Sequence, residues 1–93
     1  MNIHQFQCTL STPNNMPLYK TYRGIGLTCM DLSSDILANV ALMISCGIHI
    51  STFKTPTIDD IMRCWIADEE LVYTILCEDS QYNVEFRITA KYA

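Results

Sequence analysis

Residues 70–92 read ELVYTILCEDSQYNVEFRITAKY, and their pattern decides the fold class. From Tyr82 onward the side chains alternate. Tyr82, Val84, Phe86, Ile88, Ala90 and Tyr92 fall on one side, and Asn83, Glu85, Arg87, Thr89 and Lys91 on the other. A period of two is the mark of a strand with one buried face and one wet face. Residues 70–77 are apolar on both sides, as in a strand inside a sheet. Asp79-Ser80-Gln81 between them is a turn former, so the two runs predict an antiparallel hairpin.

Upstream of the hairpin, Ile58, Ile61, Met62, Trp65 and Ile66 recur at helical spacing and make one apolar stripe, with Asp59, Asp60, Arg63 and Asp68 opposite. Thr57 with Asp60 three residues later has the form of a capping box, and Pro56 breaks the chain before it. Residues 48–53 predict a short strand. Before it, residues 31–46 predict a helix that starts at DLSSD, with Asp31 or Ser33 as the cap, and stops at Gly47 in a left-handed conformation. Residues 18–30 read as a strand from their β-branched and aromatic content, with Gly24 and Gly26 as a bulge. Residues 11–17 form a loop, and residues 3–10 a first strand with His4, Phe6, Cys8 and Leu10 on one side. The order is ββαβαββ in a single domain spanning residues 1–93. The simplest packing is α+β: a mainly antiparallel sheet of four to five strands with two helices on one face.

Charged residues make up 17% of the chain and hydrophobic residues 49%, so the composition is that of a folded domain. Residues 1–58 hold three basic against two acidic side chains, whereas residues 59–93 hold three against eight. An acidic chain repels phosphate, which disfavours nucleic acid and suits a basic protein surface. The segment MNIHQFQCTL lacks the basic and apolar regions of a signal peptide. Together with five cysteines at no metal-knuckle spacing, this predicts a cytoplasmic, reducing setting. The longest apolar stretch, residues 36–50, is too short and interrupted for a membrane span.

Catalytic signatures, metal quartets and cofactor motifs are missing from the sequence, so neither an enzyme, a metal site nor a cofactor is expected. His4 and Cys8 lie two pleats apart on one strand, and Cys46 and His49 supply two ligands where zinc needs about four. The eight residues Arg23 to Met30 have the spacing of the RNP1 motif of RNA-recognition domains. Ile25 and Leu27 stand where that motif needs stacking aromatics, so nucleic-acid contact through Lys20, Tyr22 and Arg23 ranks third.

The leading expectation is a small non-catalytic protein-binding module, an inhibitor or adaptor of immunity, anti-defence or anti-restriction type. Its acidic contact residues are Asp59, Asp60, Asp68, Glu69, Glu70, Glu78 and Asp79. The first helix is apolar around nearly its whole circumference, so its outer side needs a cover, either Trp65 and its neighbours or another chain. Leu37, Ala41 and Ile44 are the self-association residues of a homodimer under the second option. The alternative function is a dimeric regulatory or small-ligand-binding domain.

Overall fold

The computed structural model describes residues 4–11 and 18–92. In chain order the elements are β1 (His4–Ser11), β2 (Leu18–Arg23), α1 (Ile25–Ser45), β3 (Ile50–Thr52), α2 (Ile58–Ala67), β4 (Leu71–Cys77) and β5 (Val84–Tyr92), with a 3-10 turn at Ser80–Tyr82. This is the ββαβαββ order expected, in an α+β fold. The 11–17 loop lies, apart from Ser11, outside the described residues.

The five strands form one antiparallel sheet in the order β2-β1-β5-β4-β3. The first and last strands are therefore neighbours at its centre, with Phe6 opposite Ala90, Cys8 opposite Ile88 and Leu10 opposite Phe86. The alternation of β5 resolves as the sequence predicts. Val84, Phe86 and Ile88 are buried, and Arg87 and Lys91 are exposed. The buried side of the sheet meets Leu32, Ile36, Val40 and Met43 of α1 and Ile61 and Cys64 of α2 in one core. Trp65 lies 6.1 Å from the Phe6 ring, which seats α2 over the centre of the sheet.

The segment 18–30 differs from its reading as one strand. It ends as a strand at Arg23, and α1 begins at Ile25, six residues before the DLSSD start. Neither Asp31 nor Ser33 caps the helix. Gly24 occupies the cap with φ 76°, a backbone region that favours glycine. The reason for the earlier start lies in the period. Ile25, Thr28, Cys29 and Leu32 carry the inward stripe of α1 one and a half turns upstream, and burial of that stripe outweighs the local β-preference of Ile25 and Thr28. Gly24 and Gly26 are thus a helix entry, with no bulge between them.

Two other signals hold in detail. Thr57 and Asp60 form the reciprocal capping box, each side chain meeting the other's backbone N–H. Gly47, at φ 82°, takes the left-handed conformation just past α1.

Candidate functional site

The seven acidic contact residues do not form one surface. Asp68, Glu69 and Glu70 precede β4, and Glu78 and Asp79 follow it, so a seven-residue strand separates the two groups. Several are also engaged inside the fold. Asp60 accepts from the Thr57 backbone N–H, from Arg63 at 2.9 Å and from the Tyr73 hydroxyl at 3.2 Å. Burial acts to raise the Asp60 pKa, but these donors outweigh it and hold the carboxyl below its ordinary range. Glu70 pairs with Arg87 at 2.5 Å, and Asp79 caps the 3-10 turn by accepting from the Gln81 backbone N–H. Asp59, Asp68, Glu69 and Glu78 remain as exposed charges at the ends of α2 and β4.

Lys20, Tyr22 and Arg23 do not share one face either. The pleat turns Lys20 and Tyr22 toward the helices and Arg23 toward the open face of the sheet. Lys20 and Tyr22 both end on Asp35 of α1, each at 2.6 Å. Tyr22 is buried, and its phenol is pushed up first by burial and then by the Asp35 carboxylate. A buried, hydrogen-bonded tyrosine offers no ring face to a base.

That cluster borders a pocket of about 420 Å³ lined by Cys8, Leu10, Leu18, Tyr19, Lys20, Tyr22, Asp35, Asn39 and Phe86. Cys8 at its floor has its thiol pushed up to about 11, first by burial and then by the Asp35 charge. At neutral pH it is therefore protonated, and a protonated thiol is a poor nucleophile. Sequence reading missed this pocket, because Asp35 looks like a helix-start carboxylate until β2 folds against α1.

Cys46 and His49 both border a cleft of about 210 Å³, together with Glu78 and Asp79. Among the described residues no group of three or more His, Cys, Asp or Glu side chains is placed to hold a metal ion.

The largest feature is the outer side of α1. Leu27, Met30, Leu37, Leu42 and Ile44 are 50–65% exposed, and Asp31 is the one exposed charge on the helix. Trp65 does not cover them, since α2 directs it at Phe6 under the helices. Leu27, Met30, Ser34, Leu37, Ala41 and Ile44 are spaced by 3, 4, 3, 4 and 3 residues, which aligns them in one straight seam. The three self-association residues, Leu37, Ala41 and Ile44, lie on it. Placing the helix start at residue 31 hid the other half. On α2, Ile58, Met62 and Ile66 of the apolar stripe are also exposed, while Ile61 is buried.

By length and composition alone α1 is apolar enough to cross a membrane, with a mean hydropathy of 1.4. In this fold its inner stripe packs on the sheet, and Asp35 binds β2. Compared with protein-family models, curated proteins and solved structures, the chain gives no match.

Proposed function

We propose that this chain is a small non-catalytic protein-binding module whose contact surface is the outer seam of α1. A single observation carries the reading: an exposed seam with coiled-coil spacing on a helix whose other face is fully used. The occupant is a second copy, set antiparallel across a two-fold axis. That arrangement opposes Met30 to Ala41 and Ser34 to Leu37, large against small, and closes with Leu27 against Ile44. In an inhibitor or adaptor of a basic target, the exposed carboxylates at the sheet ends would supply steering charge, a rate effect that salt removes. Five free thiols accord with a reducing, cytoplasmic setting for this role.

Sedimentation of the purified chain tests the proposal. The expected mass is twice 10.6 kDa, and Leu37→Glu reduces it to one copy while the circular dichroism spectrum is kept. A wild-type chain that stays monomeric at about 100 μM, well above the Kd of ordinary dimers, overturns it.

A second reading, small-ligand binding, draws on the pocket beside Lys20 and Asp35, whose volume is in the range of about 300–1,000 Å³ typical of ligand sites. A rise in melting temperature with one member of a metabolite panel, lost in Leu10→Trp, would support it.

A further inference from the structure

We propose that the free edge of β4 is a slot for a short extended segment of another protein, with an acidic side chain of that segment set against Lys54. The slot is independent of the α1 seam.

β3 pairs with β4 only at Ile50–Cys77 and Thr52–Leu76, with a bulge between them, and then leaves the sheet. Residues 71–75 of β4 have no strand on that side among the described residues. Two hydrogen bonds fix which backbone groups face the gap. The Glu78 N–H donates to the His49 carbonyl across the β3 edge, and the Cys77 N–H donates to the Asn83 side chain on the β5 side. Strand groups alternate in direction, and the bulge lies in β3, so the even residues of β4 face outward. Val72 and Thr74 therefore present their N–H and C=O groups to the open edge. Leu71, Tyr73 and Ile75 use theirs toward β5.

The edge is also sticky on its side chains. β4 is apolar on both faces, as a central strand would be, yet it runs at the border of the sheet over residues 71–75. Val72 is 45% exposed and Leu76 41%. Natural edges of this kind are normally blunted or covered, and an added strand is their usual partner. A cleft of about 340 Å³ lies along this edge, between β4 and the departing Phe53-Lys54 segment. Its floor is held in place by the Tyr73 hydroxyl on Asp60.

The same geometry selects the occupant. The unpaired stretch of five residues is about 17 Å long and closed at one end by β3. A second copy pairing β4 to β4 around Tyr73 would carry its own β3 into Glu69 and Glu70, so a long sheet edge does not fit. A free segment of four or five residues does. Lys54 on the rim is exposed and has no ion pair among the described residues, whereas Arg63 is neutralised by Asp60. The surplus charge of the cleft is therefore positive and calls for an acidic side chain.

The test is selection of random displayed heptapeptides on the immobilised wild-type chain. Enriched peptides are expected to contain alternating β-branched residues and an Asp or Glu. They should bind Thr74→Pro and Lys54→Glu at least about tenfold more weakly, a loss of about 1.4 kcal/mol. Proline at 74 removes only an N–H that faces the gap, which edge strands tolerate. If that variant does not fold, amide exchange of the wild type decides. A selected peptide should slow Val72 and Thr74 at least about tenfold while leaving Leu37 on α1 unchanged. No enrichment, peptides indifferent to both variants, or protection confined to α1 would each overturn the proposal.

Discussion

Ile36 and Leu37 are adjacent residues of similar size and polarity, yet Ile36 is 1% exposed and Leu37 50%. The whole of α1 divides in this way. Leu32, Ile36, Val40 and Met43 are the floor of the domain, while Leu27, Met30, Leu37 and Ile44 stand in solvent. Large apolar side chains stand on both sides, so which of them is buried is decided by the sheet and not by hydrophobicity alone. The inner side holds the fold together, and the outer side is free to be used elsewhere. Ile36→Ala should cost about 2–5 kcal/mol, because it leaves a cavity in a thin core. Leu37→Ala should stay within about 0.5 kcal/mol when unfolding by urea is measured on the dilute, monomeric chain. Equal losses at the two positions would break the division.

The boundary between the two sides is set by Asp35, which receives both Lys20 and Tyr22 from β2. Tyr22→Phe keeps the buried ring and removes one donor, and a cost of about 1–2 kcal/mol is expected from the same urea curves. Lys20, whose side chain is 56% exposed, should matter less.

The smallest effect concerns the first turn of α2. Asp60 has a lowered pKa in the fold, so its contribution is present above the ordinary carboxylate value near about pH 4 and is lost as pH falls through the folded value. Asp60→Asn should therefore show a shallower decline of the urea midpoint than wild type in that acid range. Parallel declines would assign the acid sensitivity to other carboxylates.

The parts of this fold that were legible in the sequence are those with a local period or a local bond. The β5 alternation and the Thr57–Asp60 cap need only their own neighbours. The start of α1 was not legible, because Gly24 and Gly26 imitate a bulge and the residues that overrule them, Leu32 and Ile36, lie farther along. The inner and outer sides of α1 cannot be told apart in a helix apolar all round. For the candidate site the same holds. Asp35 joins β2 across 13 and 15 residues of sequence, and no local pattern announces it. The acidic residues were easy to see, and their separation to the two ends of β4 follows from the strand itself, whereas the partners that engage Asp60 and Glu70 inside the fold appear only in the folded chain. The two-sided apolarity of β4 reads as a central strand, and the structure turns that reading into a question of what completes the edge.

The placement of β1 between β2 and β5 has a consequence for how the chain is made. β1 emerges from the ribosome first and β5 last, yet they are bonded neighbours. The backbone at Phe6 and Cys8 must wait through the synthesis of some eighty residues before the strand it pairs with exists. Pairings so distant in sequence form slowly, and until then the nascent chain exposes β1, the free edges and α1 together. The interval before β5 is released is thus the time when the chain is most open to misassembly.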